Sequence, residues 1–207
     1  MIELPAAAAA IVETGRRLEA RGLAPATAGN YSVRLADGTV AVTVSGAHKG
    51  RLTEAEVMRV SPSGDALGPG KPSAETLLHC LIYAIDPAAG AVLHTHSVAG
   101  TVLSRALSGS TEIMLEGYEL LKIYSAGTHD TAVRLPLVDN SQDMAGLAGQ
   151  LRPMLVAQSP LIPAFYIRSH GLYAWGPNLA AAEAVVEGTE FLLACAWEEL
   201  KLAWTTR

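Results

Sequence analysis

The stretch Ala91–Ser97, with the sequence AVLHTHS, contains the most informative pattern of the chain. Gly90 and the apolar residues that follow it predict a short buried strand, and two histidines come at its end. Because alternate residues of a strand point to the same face of the sheet, His94 and His96 should present their imidazole rings side by side. Two neutral imidazoles so placed can bind a metal ion. The ordinary alternative is a pair of half-buried histidines with hydrogen-bonded rings.

A third histidine has a similar setting, since His170 follows the apolar run Ala164–Ile167 and precedes Gly171. Three histidines that leave one position open make a catalytic rather than a structural zinc site. We therefore expect one Zn²⁺ per subunit on His94, His96 and His170, although Fe, Co or Mn also accepts imidazole ligands. The remaining histidines, expected to be surface or core residues without a metal role, are His48, His79 and His129.

The composition predicts a cytoplasmic protein that binds neither nucleic acid nor membrane. The 207 residues are 50% hydrophobic and carry a formal net charge of −5, so a sizeable core is expected and no basic patch is available for nucleic acid. No apolar run approaches the roughly 18 residues of a transmembrane helix. Ala6–Val12 follows Glu3 without a positively charged flank, which predicts a helix face rather than a signal peptide. Cys80 and Cys195 are expected to be isolated buried thiols.

Strand and helix patterns alternate without a repeat or a linker, which predicts one α/β domain over residues 1–207. Hairpin signals such as Asp37-Gly38 occur beside strands separated by helices, so the sheet should be mixed or largely antiparallel. The predicted helices are 5–21, 73–85, 98–107, 115–123, 144–156 and 178–204, with one helical turn at 53–56. The predicted strands are 31–35, 39–44, 57–60, 133–138 and 172–175, together with the two strands that end at the histidines.

Four polar clusters fall at the ends of predicted elements, where binding sites are commonly built. They supply backbone N–H groups and hydroxyls suited to a phosphate, especially beside a helix N-terminus. Taken singly, each cluster is also what a turn or a helix cap requires. The chain has no nucleotide-binding G-x-x-x-x-G-K-[ST] or G-x-G-x-x-G motif, and Ser45 lacks the G-x-S-x-G context of a serine hydrolase. The four clusters are Thr27–Asn30, Ser45–Gly50, Lys71–Glu75 and Glu116–Glu119.

In this order the motifs resemble the class II aldolase/adducin family over nearly the whole chain. Enzymes of that family bind zinc through three histidines and act on sugar phosphates through an enediolate. The resemblance implies a single-domain, three-layer α/β/α fold around a central mixed, largely antiparallel sheet. It also implies a small sugar-phosphate substrate and a homotetramer with active sites at subunit interfaces. The matching segments are Thr27–Asn30 (TAGN), Val44–Lys49 (VSGxxK), Lys71–Thr76 (KPSAET), His94–Ser97 (HTHS) and Arg168–Gly176 (RxHGxxxWG).

Within the family, Leu115–Lys122 and Val138–Asp143 are similar to the dehydratases. The three histidines named above match the zinc ligands. Glu119 then matches the acid/base carboxylate of the dehydratases, and Glu75 matches an aldolase glutamate that serves as acid/base or alternative metal ligand. Glu116 lies one helical turn from Glu119, so spacing alone does not separate these two carboxylates. The positions that match phosphate-binding loops are Thr27, Gly29, Asn30, Ser45, Gly46 and Ser73, with Lys49 as an additional cation.

The resemblance implies one enediolate that serves two reactions. Zinc chelated by the C2 carbonyl and C3 hydroxyl of a ketose phosphate would ease removal of the C3 proton. Loss of the C4 hydroxyl from the resulting enediolate then gives dehydration, whereas an aldolase forms the same enediolate by breaking the C3–C4 bond instead. We expect dehydration, with Glu119 as the acid/base. The alternatives are a class II aldolase, a pentulose-phosphate 4-epimerase, and a non-catalytic assembly module, against which the complete histidine set argues.

Overall fold

A central sheet organises the molecule, for which a computed structural model describes residues 2–124 and 129–205. Its strands are β1 (Asn30–Arg34), β2 (Val40–Thr43), β3 (Val57–Val60), β4 (Ala91–Thr95), β5 (Glu112–Leu115), β6 (Val133–Val138), β7 (Ala164–Ile167) and β8 (Gly171–Gly176). They lie in the order β3-β2-β1-β4-β8-β7-β6-β5. The β6–β7 pair is parallel and the other neighbouring pairs are antiparallel, which confirms the predicted mixed, largely antiparallel sheet.

Helices cover both faces of the sheet and give the three-layer α/β/α fold that the resemblance implied. In the described residues they are α1 (Leu4–Ala20), α2 (Thr76–Ile85), α3 (Val98–Ala106), α4 (Met144–Val156) and α5 (Leu179–Thr205). Helices α1, α3 and α5 pack over one apolar core, and α2 and α4 over another on the opposite face. None of the helices in these two described ranges is long and apolar enough to cross a membrane.

Local sequence signals set several element boundaries as predicted. Gly38 has φ +83°, which lets the chain turn between β1 and β2. The backbone N–H of Thr53 donates to Glu56 at 2.8 Å in a capping box that opens a 3₁₀ turn. Asn178 accepts a hydrogen bond from the Ala181 N–H at 2.9 Å and begins α5.

The predicted helix over residues 115–123 is wrong in its first part. Glu112–Leu115 form the edge strand β5, and only Glu119–Tyr124 are helical, as a 3₁₀ turn. In β5, Ile113 and Leu115 are buried while Met114 is exposed, as expected for a strand with one covered face. A strand of four residues gives too short an alternation to compete with the helix-like spacing that follows it.

Candidate active site

Three histidines meet at one end of the sheet. His94 belongs to β4, His96 follows that strand, and His170 lies in the turn between β7 and β8. Since β8 pairs with both β4 and β7, this turn lies beside the end of β4. One ring nitrogen from each histidine lies within 4.8 Å of the others. The structure therefore brings together the three residues that the sequence predicted as metal ligands.

Hydrogen bonds orient two of the three rings. Nδ1 of His94 donates to the Leu172 carbonyl oxygen at 2.9 Å, and Nδ1 of His170 lies 3.2 Å from Oδ1 of Asn140. These bonds make Nδ1 the protonated nitrogen and leave the Nε2 lone pairs facing the cluster. Nε2 of His94 is buried and has no hydrogen-bond partner among the described residues. An unpartnered buried acceptor is costly, and a metal ion at this point would satisfy it.

Burial keeps two of the imidazoles in the neutral form that binds metals. Desolvation holds the pKa of His94 well below its ordinary value and lowers the pKa of His96 to about 4. The positive charges of neighbouring histidines lower both pKa values further, and Glu75 opposes the effect. At neutral pH a metal ion therefore does not compete with protons for these two rings.

Glu75 lies inside the histidine cluster. Its Oε1 is 3.1 Å from Nε2 of His170, and its Oε2 is 3.8 Å from Nε2 of His94. Burial alone would raise the pKa of Glu75, but hydrogen bonds from His170 and Asn30 and the histidine charges lower it to about 2. Two imidazole lone pairs and a carboxylate thus converge, and either a proton on His170 or a metal ion must supply the positive charge between them.

A cavity of about 330 Å³ opens in front of the histidines, a size suited to a small ligand. Three loops form it: one before β1, one after β2 and one before α2. Glu75, His96 and His170 line the same cavity. The arrangement places backbone N–H groups and hydroxyls within one ligand's length of the candidate metal ligands. The structure brings together here every residue predicted to bind phosphate or substrate, namely Thr27, Gly29, Asn30, Ser45, Gly46, Lys49 and Ser73.

Gly29 and Lys49 hold the loops against the histidine strand. Gly29 has φ +80°, and a Cβ there would lie 2.6 Å from the carbonyl oxygen of His94, so only glycine permits this approach. The buried ammonium of Lys49 donates to the carbonyl oxygens of Thr27 at 2.8 Å and Ala47 at 2.5 Å. Desolvation lowers the pKa of Lys49 to about 8. Lys49 thus joins two loops of the cavity while adding positive charge to its wall.

Glu119 lies at the opposite end of the sheet from the histidines of its own chain. Because β6 is parallel to β7 and β5 is antiparallel to β6, β5 ends away from His170. The Glu119 side chain is 71% exposed and pairs with Lys122 at 3.0 Å, which holds the pKa of Glu119 below its ordinary value. Glu116 directly follows β5 in the same region. Neither carboxylate is therefore brought to the histidines within one chain.

Two residues near the site were assigned no part in it from the sequence. Asn140 accepts a hydrogen bond from His170. The sequence signal for Asn140 was its place in a polar segment directly after β6, whose parallel neighbour β7 leads to His170. His79 was expected to be a surface or core histidine without a metal role; it is buried, and its ring contacts Asn30 at 2.5 Å. Its spacing of four residues from Glu75 on one helix face was the available signal. The remaining histidines lie outside the cluster of described residues that could hold a metal: His48, His79 and His129.

Sequence comparison identifies relatives that span almost the whole chain. The Class II Aldolase and Adducin N-terminal domain matches residues 9–197. The methylthioribulose-1-phosphate dehydratase of Granulibacter bethesdensis is 53% identical over 201 residues, which cover 95% of this chain and 93% of that protein. The protein of the same name from Pseudomonas paraeruginosa is 49% identical over 93% of this chain and 94% of its own length.

Solved structures agree with this relationship. YgbL from Escherichia coli superposes with a TM-score of 0.79 at 27% identity, covering 92% of this chain and 87% of YgbL. An L-fuculose-1-phosphate aldolase from Thermus thermophilus superposes with a TM-score of 0.72 at 26% identity, covering 98% of this chain and 99% of the aldolase. Matching fold, sequence and motifs over nearly its full length, the chain belongs to the class II aldolase and adducin family.

Proposed function

We propose that the protein is a zinc-dependent lyase that dehydrates 5-methylthioribulose 1-phosphate to 2,3-diketo-5-methylthiopentyl 1-phosphate, a step of methionine salvage in the cytoplasm. The observation that carries the proposal is the 53% identity, over 95% of this chain, to a protein named methylthioribulose-1-phosphate dehydratase. The cavity supports it, because phosphate-type loops and a cluster of metal-binding side chains line one small volume.

We assign His94, His96 and His170 as the ligands of one Zn²⁺ per subunit, with a position left for substrate. Bound there, zinc would supply positive charge to the C2 carbonyl and C3 hydroxyl oxygens of a ketose phosphate and so favour loss of the C3 proton. The chain's own contribution is orientation, since the Leu172 carbonyl and the Asn140 amide oxygen hold two of the rings.

The loops around Thr27, Ser45 and Ser73 are proposed to bind the substrate phosphate. They come from three separate parts of the chain and line one cavity beside His96. Hydroxyls and backbone N–H groups are the usual phosphate donors in proteins. The Lys49 ammonium adds positive charge next to the two loops that it joins. These contacts would hold the C1 phosphate and set C3 and C4 near the metal.

Glu119 is proposed as the acid/base in the site of a neighbouring copy. Its position at the opposite end of its own chain's sheet means that it reaches a histidine cluster only through assembly. There it would take the C3 proton and return a proton to the C4 hydroxyl, so that the C4–O bond breaks and water leaves. The enol that remains loses its hydroxyl proton and gains one at C4, which gives the 2,3-diketone.

A homotetramer is the assembly that we propose. Several large apolar side chains of α5 are exposed in the single chain: Phe191 is 57% exposed, Leu202 66% and Trp204 54%. Exposed apolar side chains gathered on one helix are typical of surfaces that another subunit covers. Such an assembly is also what Glu119 needs in order to act on a second copy.

Aldol cleavage is the second candidate, and the position of Glu75 favours it. The Glu75 carboxylate lies 3.1 Å from His170 in the same chain, where the resemblance assigns an aldolase acid/base. A shared metal site does not separate the two reactions, because both pass through the same enediolate: dehydration would form it by removing the C3 proton, and aldol cleavage by taking the C4 hydroxyl proton and breaking the C3–C4 bond. The products separate them: a diketone and water in one case, an aldehyde in the other.

The purified protein should be assayed with methylthioribulose 1-phosphate and with L-fuculose 1-phosphate. We expect diketone from the first substrate and no aldehyde from the second. Chelation should abolish turnover, since the metal charge is lost, and added Zn²⁺ should restore it. Aldehyde release from L-fuculose 1-phosphate without diketone formation would establish the aldolase instead.

Metal stoichiometry tests the ligand assignment independently of the substrate. His96→Ala should lose most of the bound zinc, because a catalytic site has three protein ligands and tolerates the loss of one poorly. His48→Gln is the matched control and should retain one zinc per subunit. Stoichiometric zinc bound to His96→Ala with wild-type affinity would contradict the assignment.

A further inference from the structure

A buried chain of hydrogen bonds leads from the interior to the candidate site. The Tyr83 hydroxyl lies 2.9 Å from Oγ of Ser32, and that oxygen lies 2.7 Å from Nδ1 of His79. Nε2 of His79 lies 2.5 Å from Oδ1 of Asn30, and Nδ2 of Asn30 lies 2.5 Å from Oε2 of Glu75. The chain therefore ends on the carboxylate that lies against the histidine cluster.

The chemistry of its last member fixes the direction of every bond. The carboxylate of Glu75 only accepts, so the Asn30 amide must turn its N–H toward it and its oxygen toward His79. Nε2 of His79 must then donate, which leaves Nδ1 as an acceptor for the Ser32 hydroxyl. Because Ser32 has a single hydroxyl proton, Tyr83 must donate to Ser32. Each of the four hydrogen bonds is therefore donated in the direction of Glu75.

The surroundings support this one arrangement. His79 and Ser32 have no exposed surface, and Asn30 and Tyr83 are buried. Desolvation lowers the pKa of His79 to about 4, so the ring has one donor and one acceptor nitrogen at neutral pH. Burial also raises the pKa of Tyr83, so the hydroxyl that begins the chain keeps its proton.

Building on the proposed function, we propose that His79 is a positioning residue: its Nε2–H orients the Asn30 amide, and that amide holds the Glu75 carboxylate in place beside His170. Asn30 also pairs with His94 in the sheet and lines the cavity, so its amide joins the loop, the metal strand and Glu75. If the amide rotated by 180°, its oxygen would face the carboxylate and repel it.

This arrangement separates His79 from an ordinary core residue. A core residue contributes to stability through its packing volume. Replacing such a residue with a polar or an apolar side chain of similar size would change only the fraction of folded protein. A positioning residue contributes a donor at one defined point. Removing that donor frees the Asn30 amide, and the Glu75 carboxylate then loses its fixed position beside His170, a proposed zinc ligand, while the phosphate contacts of the other loop residues remain.

Kinetics of the zinc-loaded full chain test the role with three variants. His79→Leu removes the donor and should lower kcat roughly 10- to 100-fold, the usual cost of losing a partner behind a metal site, while KM stays within about threefold. His79→Gln keeps a donor near the Nε2 position and should recover most of kcat. Ile82→Val changes a residue on the same buried helix face that takes no part in the series of hydrogen bonds, and it should retain wild-type kcat. Equal kcat for His79→Gln and His79→Leu would overturn the proposal.

The tautomer of His79 provides a test that needs no substrate. In zinc-loaded protein labelled with ¹⁵N-histidine, the His79 ring should show a protonated Nε2 and an unprotonated Nδ1 between pH 6 and 8, assigned by the signal lost in His79→Gln. A protonated Nδ1 would overturn the proposal whatever the reaction proves to be. Absence of dehydration by the wild type, with the Nε2–H tautomer present, would instead remove the proposed function and leave the hydrogen-bond chain standing.

Discussion

The two ends of the sheet differ in how much of a candidate active site each one contains. At the histidine end, His94 is buried and oriented, and Glu75 is held by hydrogen bonds beside a cavity. At the other end, Glu119 is 71% exposed and contacts mainly charged neighbours on the surface. One chain thus brings together the candidate metal and phosphate residues but leaves the proposed acid/base in solvent. Under the proposed function, assembly with a second copy would complete the site.

The two carboxylates also differ electrostatically. The pKa of Glu75 is lowered to about 2, so at neutral pH it is a weak base that stays ionised. Lys122 lowers the pKa of Glu119, but an exposed group owes such a shift to a contact that solvent screens. Burial of Glu119 against a neighbouring copy would raise its pKa by desolvation, toward the range in which a carboxyl exchanges protons efficiently. The proposed role of Glu119 in proton transfer therefore requires its burial against a second copy.

The largest effect should follow from changing Glu119. Glu119→Gln keeps the size of the side chain but removes its basicity, so turnover should fall by roughly 10²–10⁴-fold while zinc remains bound. Steady-state kinetics and metal analysis measure the two quantities. Glu116→Gln, the rival carboxylate three residues earlier, is the matched control and should keep activity within a few-fold of the wild type. Loss of activity in the control alone would transfer the role to Glu116.

Mixing subunits tests whether Glu119 acts on a second copy. A His96→Ala subunit retains Glu119, and a Glu119→Gln subunit retains its histidines. When the two are co-expressed, mixed assemblies should regain a measurable fraction of wild-type turnover, because some sites combine an intact cluster with an intact carboxylate. Mixed assemblies as inactive as either parent would show that the two ends do not meet across an interface.

A smaller effect should arise within the histidine end itself. Ser73→Ala removes one hydroxyl from the cavity wall, and a lost hydrogen bond to a charged group costs roughly 1.5–3 kcal/mol, so KM should rise at least about tenfold. Zinc content should not change, because Ser73 is not a candidate metal ligand. Ser63→Ala, in an exposed loop away from the cavity, provides the control. An unchanged KM in Ser73→Ala would remove this residue from the phosphate site.

The sequence predicted the histidine end far better than the other end. His94, His96 and the loops around Thr27 and Ser73 lie at element boundaries, and strand alternation or turn chemistry places such residues reliably. The location of Glu119 depends on the direction of an edge strand, β5, that its four residues do not reveal. The hydrogen bond between His79 and Asn30 joins residues 49 positions apart, and only the packing of α2 on the sheet brings them together.

The two faces of β4 provide the last comparison. His94 faces the histidine cluster, whereas Thr95 points the other way and its hydroxyl lies 3.3 Å from Oε1 of the buried Glu190 on α5. Oε2 of Glu190 has no partner among the described residues, and desolvation raises the pKa of Glu190 to about 7. Behind the candidate metal site, the protein therefore carries a carboxyl group whose protonated form is favoured by burial.

We expect this carboxyl to make stability fall as the pH rises. In the unfolded chain Glu190 ionises near its ordinary pKa of 4.5, whereas in the folded chain it ionises near 7. Between these values the unfolded state binds fewer protons, so the free energy of unfolding decreases by up to about 3 kcal/mol and is constant above pH 7. Glu190→Gln removes this dependence. Denaturation of zinc-loaded protein at pH 5 and pH 8 should therefore show that the free energy of unfolding of the variant, relative to that of the wild type, is higher at pH 8 than at pH 5. Turnover should change less than threefold. Glu187→Gln, on the same helix but 36% exposed, should follow the wild type at both values. Parallel behaviour of all three proteins would mean that Glu190 is ionised in the fold and that the face behind the histidines stabilises its charge after all.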